Sequence, residues 1–144
     1  MMEDAGRGWR HCVPSPEPRA VTNLAAIRAL LDAGAVVIAG GGGGVPVVRN
    51  AEGDFRGIEA VIDKDLTSAL LARSLGIPDL LILTAVERVA VDFGKPQQRF
   101  LSEVTLPELK SLQRAGHFGK GSMGPKVEAA IRHLEGGEIG RAHV

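Results

Sequence analysis

Two lysines stand where a lysine is locally unfavourable. Lys64 lies between Asp63 and Asp65, where a loop gives way to a helical pattern. Lys126 follows Pro125 in the first turn of another helical pattern. A helix N-terminus carries partial positive charge, so an ammonium there opposes the dipole. The placement makes sense when the lysine reaches a bound polyanion and neighbouring carboxylates hold it charged and aimed. N-capping, worth about 1 kcal/mol, explains one of the two aspartates but not the lysine between them. Two solvated surface lysines are the plain alternative.

Glycine loops accompany both lysines. Gly40, Gly41, Gly42, Gly43 and Gly44 follow the apolar run Ala35-Val36-Val37-Ile38-Ala39. Without Cβ atoms, such a run lets backbone N–H groups converge on an anion. A flexible linker is the alternative, yet linkers do not usually join five apolar residues to Val45-Pro46-Val47-Val48. Gly119-Lys120-Gly121-Ser122-Met123-Gly124 is a second loop, and it opens onto the helix that carries Lys126. The free N–H groups at that helix start suit a phosphate.

Other chemistries find less support. Lys120 is followed by Gly121, so no P-loop is present. Gly40-x-Gly42 leads to Val45 and Pro46 rather than a helix, which argues against a dinucleotide fingerprint. His11, His117, His133 and His143 do not fall at metal-ligand spacing, and no metal site is expected. His133 reads as a helix-surface residue and His117 as a loop residue. Cys12, without an evident activating base, reads as buried or inert. Thr84-Ala85-Val86-Glu87 follows an apolar strand, the place where α/β folds bind ligands.

The elements that would position these residues alternate. Helical patterns run over 22–33, with Leu24, Ile27, Leu30 and Leu31 inward and Gly34 after the end, and over 65–75, closed by Gly76. Thr105 and Glu108 form a capping box opening a helix to about Ala115. A last helix runs from Pro125 to about Leu134. Strands are expected at 35–39 and at 80–83, the latter covered on both faces, with an edge strand at 88–93. A hairpin joins 45–49 to 55–58 through a five-residue turn. Nothing strand-like follows the last helix. The class is α/β.

Composition narrows the function. The 144 residues carry 17 basic and 17 acidic side chains, so no net positive field recruits nucleic acid. Aromatics are 3%, too few for base-stacking platforms. No apolar run is long enough to span a membrane. A single cysteine precludes an internal disulfide and suits the cytoplasm.

Several segments together resemble the carbamate kinases of the amino-acid kinase superfamily. They are Trp9-Arg10, Val13 to Pro18, Ala39 to Val48, Val61 to Leu66, Leu81 to Thr84, Phe93-Gly94-Lys95-Pro96 and Gly121 to Ala130, in the family's order. The resemblance implies a three-layer α/β/α sandwich, a homodimeric parent in arginine fermentation, and reversible phosphoryl transfer between ATP and carbamate. The products are ADP and carbamoyl phosphate, and Mg2+ accompanies the nucleotide. It further implies that Lys64 contacts the transferring phosphoryl group, that Asp65 orients the catalytic lysines, and that Asp63 supports them. Lys126 and Gly124 would hold nucleotide phosphate, and Thr84, Ala85, Val86 and Glu87 would wall the adenosine pocket. Gly41 to Gly44 would hold the carbamoyl or phosphoryl end.

The likeness covers the C-terminal part of the family pattern. A first phosphate loop with its own lysine, another glycine loop and a protruding lid belong upstream in the family. Residues 1–137 are therefore expected to form the nucleotide-binding part of the domain, inactive alone, with apolar sheet edges exposed. Residues 138–144 read as a non-native tail, because a common sequencing adapter would encode Ile139 to Val144 in one frame. A non-catalytic nucleotide- or anion-binding module is one alternative. Another is a related kinase acting on an amino-acid carboxylate or on UMP, although Val61 to Asp65 fits the carbamate kinases better.

Overall fold

The computed structural model describes residues 2–3, 8–119, 123–136 and 141–144. Lys120, Gly121 and Ser122 of the second glycine loop, Gly137, and 138–140 of the expected tail lie outside the described residues.

A short antiparallel pair, β1 (Met2–Glu3) with β2 (Trp9–Arg10), opens the chain. The proline-rich segment that follows is irregular but tied down, since Val61 N donates to Pro14 O at 2.9 Å. Helix α1 (Leu24–Asp32) ends at Ala33, and Gly34 follows at φ +80 as expected. Of its four expected inward residues, Ile27 alone is buried. The helix lies against α2 at one edge, where Arg28 Nη2 donates to Ser74 O at 3.1 Å, so Leu30 and Leu31 face outward.

The strand expected at 35–39 does not form. A strand needs a neighbour to satisfy its backbone; Ala35 N instead donates to Leu30 O at 3.0 Å, and no described strand pairs with this segment. Val36 and Ile38 are 96% and 97% exposed. The hairpin does form: β3 (Val47–Arg49) pairs antiparallel with β4 (Phe55–Gly57), Val48 opposite Arg56. Asn50 Oδ1 accepts from Asp54 N at 2.7 Å and fixes the turn.

Helix α2 (Lys64–Leu75) has the ends its sequence prescribes. Asp63 Oδ1 accepts from Asp65 N at 2.8 Å and from Leu66 N at 3.1 Å. Gly76 stops the helix in the left-handed conformation. The chain then enters β5 (Asp79–Leu81), which pairs in parallel with the last strand, Leu80 opposite Ala142. Leu80 and Ile82 pack on Ala69 of α2 and on Ala129. Leu81 and Leu83 point outward and are exposed, so one face of this strand is covered rather than the expected two.

The expected edge strand at 88–93 shortens to β6 (Ala90–Val91), antiparallel to β7 (Arg99–Phe100), which sequence did not foresee. Val89, Ala90 and Val91 are all buried. Helix α3 (Leu106–Arg114) begins at the foreseen cap, with Glu108 N donating to Thr105 Oγ1 at 3.4 Å. Helix α4 (Met123–Glu135) joins Val89, Val91, Leu101, Leu109 and Phe118 in the main core through Val127, Ala130 and Ile131.

A strand follows the last helix, where nothing strand-like was expected. Arg141–His143 forms β8 beside β5, and Ile82 N extends the ladder by donating to His143 O at 2.8 Å. Arg-Ala-His has little intrinsic strand preference, but the β5 edge supplies backbone partners. Ala142 and Val144 also lay their side chains against the core.

Candidate functional site

Chain direction brings the foreseen residues to one edge. Helix α2 feeds into the start of β5, and α4 precedes β8, the strand parallel to it. Both helices pack on this pair and run opposite to it. Their N-termini therefore sit toward the strands' C-terminal end, the side where open α/β sheets bind ligands.

The two helix starts are joined directly. Lys126 Nζ donates to Asp65 Oδ2 at 3.0 Å, with both side chains largely buried. The caps divide the labour between the aspartates: Asp63 holds the α2 amides, leaving the Asp65 carboxylate for Lys126. Lys64 is exposed at the first position of α2 and makes no ion pair among the described residues. One ammonium is thus fixed and one is available.

The first glycine loop lies against the same helix start. Gly43 is buried at φ +137, and a Cβ there would come within 1.8 Å of Ile62 O, so only glycine fits. Gly43 N donates to Gly40 O at 2.8 Å, closing a tight turn. Gly41, Gly42 and Gly44, with Gly40, Val45 and 60–62, line an open hollow of about 490 Å3. At α4, Gly124 N donates to Gly119 O at 2.8 Å, an approach that a Cβ at Gly124 would crowd.

Thr84, Ala85, Val86 and Glu87 follow β5 on the same edge. Thr84 and Val86 are half-buried, while Ala85 and Glu87 are exposed, with Glu87 3.7 Å from Arg88 Nε. No described residue bridges this segment to Lys126 by a hydrogen bond or ion pair.

Two minor expectations need correction. His133 is buried, because the last turns of α4 cross the Pro78 loop, where His133 Nε2 lies 3.0 Å from Pro78 O. Cys12 is exposed, since the proline-rich segment carries it along the surface. One cluster escaped sequence reasoning. Asp92 holds φ +51 and meets Lys95 Nζ at 3.0 Å and His117 Nδ1 at 3.4 Å. The hydrogen bond from Lys95, helped by the nearby His117, draws the Asp92 carboxyl below its ordinary value. The sequence signal was the Phe93-Gly94-Lys95-Pro96 turn, which gives no hint that His117 closes over it.

The amino acid kinase family model matches residues 2–143. The chain belongs to the amino acid kinase family. It is 51% identical over 139 residues to the carbamate kinase of Thermococcus kodakarensis, covering 96% of this chain and 44% of that protein. It is 52% identical over 134 residues to carbamate kinase 3 of Staphylococcus aureus, covering 93% and 43%. Among solved structures, carbamate kinase from Giardia lamblia bound to AMP-PNP superposes with a TM-score of 0.87 at 45% identity, over 94% of this chain and 42% of that one. The chain thus has the amino-acid kinase fold over a span under half the length of these relatives. No helix among the described residues is long and apolar enough to cross a membrane.

Proposed function

We propose that this chain carries the nucleotide-binding part of a carbamate kinase, which moves a phosphoryl group reversibly between ATP and carbamate. The observation that supports it most is the Asp65–Lys126 pair, which locks two helix N-termini together beside the glycine hollow. Phosphoryl transfer asks little covalent chemistry of a protein and much placement of charge. A carbamate oxygen attacks the γ-phosphorus, the bond to the β–γ bridging oxygen breaks, and ADP leaves as carbamoyl phosphate forms.

In this scheme Lys126 and the α4 start, with Gly124 at closest approach, hold nucleotide phosphate. Thr84 to Glu87 wall the adenosine. Lys64, with its ammonium available, reaches the transferring phosphoryl group. Asp65 aims Lys126, Asp63 holds the first turn of α2 in place, and Gly41 to Gly44 receive the carbamoyl or phosphoryl end. Mg2+ would ride on the nucleotide's phosphates and neutralise their charge. No group of three or more His, Cys, Asp or Glu among the described residues gathers to hold a metal. The parent setting in the same proposal is a cytoplasmic homodimer in fermentative arginine breakdown.

Calorimetric titration of the chain with ADP and Mg2+ tests the assignment. Saturable binding that Lys126→Ala weakens by about 10–100-fold is expected, the loss of one charge-assisted contact. Equal binding by the variant would remove Lys126 from the site.

A further inference from the structure

Thr67 lies one turn into α2, buried, and grips both ends of the glycine turn. Its Oγ1 is 2.8 Å from Gly43 O and 3.1 Å from Asp63 O. A hydroxyl has one proton to give. Asp63 O already accepts the helical amide of Thr67 at 3.0 Å, whereas the Gly43 carbonyl has no other described donor. The hydroxyl therefore donates to Gly43. The Thr67 methyl group lies 3.5 Å from the Cβ position of Gly40, the other end of the turn.

A peptide unit is planar and trans, so its C=O and the following N–H point in opposite directions. Holding Gly43 O toward α2 turns the Gly44 N–H away from α2, and Gly44 lines the hollow. Among the described contacts that N–H has no acceptor. We infer that the Thr67 hydroxyl sets the direction of the Gly43–Gly44 peptide and makes the Gly44 N–H an anion donor in the hollow. Thr67 is a positioning residue that touches no ligand. The inference deepens the phosphoryl-site assignment and rests on it.

Backbone amide NMR of the chain, titrated with inorganic phosphate, tests this. In the wild-type chain and in Thr67→Ser, which keeps the hydroxyl, the Gly44 amide resonance shifts on titration. In Thr67→Val, which keeps the shape, the Gly44 response disappears while the amides of α2 stay in place. Phosphate affinity then falls about tenfold, the effect of losing one aligned donor. If Thr67→Val fails to fold, Thr67→Ser decides alone: a lost Gly44 response there assigns the role to the methyl group and overturns the inference. A Gly44 amide that ignores phosphate in the wild-type chain while the Lys126 amide responds overturns the inference and leaves the site assignment standing. Silence at both residues overturns both.

Discussion

Asp65 and Lys126, sixty-one positions apart, meet at 3.0 Å where two helices begin. Each explains the other's odd placement. The lysine opposes its own helix dipole but is neutralised by the carboxylate. The carboxylate is buried but paired. Removing one partner strands the other, and a stranded buried charge costs about 3–5 kcal/mol when fully enclosed. These side chains keep slight exposure, so Lys126→Met should cost roughly 1–3 kcal/mol in urea unfolding. The exchange Asp65→Lys with Lys126→Asp should recover much of that stability without recovering ADP binding. Recovery of both would mean that the pair is structural only.

Lys64 should behave in the opposite way. Its side chain is exposed and makes no ion pair among the described residues, so Lys64→Ala should leave stability within about 0.5 kcal/mol. The matching change in a full-length relative should lower turnover by about 10²–10³, the usual loss of a preorganised donor to developing charge. Turnover near wild type would take Lys64 out of the reaction.

Gly43→Ala should be among the most damaging single changes in the chain. The added methyl group would collide with Ile62 O, and φ +137 is closed to alanine. A loss of about 2–4 kcal/mol, or failure to fold, follows from combined strain and overpacking. Gly42→Ala, with open space at its Cβ position, is the control and should unfold at nearly the wild-type denaturant concentration.

The apolar segment at 36–38 should govern solubility. Val36 and Ile38 are almost fully exposed, near the unpaired backbone that strands use to aggregate. Val36→Lys with Ile38→Lys should raise the concentration at which light scattering appears. It should leave the circular dichroism of the helices unchanged. Unaltered scattering would shift attention to Leu81 and Leu83.

The Asp92 cluster should respond to acid. Its carboxyl is held below the ordinary value, so its contribution is present in full above the unfolded Asp value of about 3.9. That contribution disappears as pH falls through the lower folded value. The Asp92 carboxyl carbon resonance should titrate below 3.9, and exchange at the Lys95 and Gln98 amides should quicken over the same window. Lys95→Met should move the titration upward; an unmoved curve would dissociate the lysine from the effect.

Local chemistry was legible in the sequence, and pairing was not. The Asp63 and Thr105 caps, the Gly76 stop and the Asn50 turn depend on neighbours a few residues away, and each forms as its sequence suggests. Residues 35–39 look like a strand by composition, yet no partner strand is present among the described residues. Residues 141–143 do not look like one and still pair with β5. Strand formation depends on what lies alongside, which a single sequence does not display. At the site, residue types pointed to lysines, aspartates and glycines on one edge. Residue types alone did not choose between Asp63 and Asp65 as the partner of Lys126, whereas the resemblance to the carbamate kinases pointed to Asp65. The choice follows from which oxygen the helix cap consumes.

The bond between Val61 and Pro14 has a consequence for the order of assembly. Helix α2 contains its own start and stop signals within a short stretch of chain. The hollow's wall at Val61 depends on a proline-rich strap from far earlier in the sequence, itself clipped by Glu17 to Arg132 of α4. The shape of the hollow therefore matures only after distant parts of the chain have met, and amide exchange at Val61 will report that meeting.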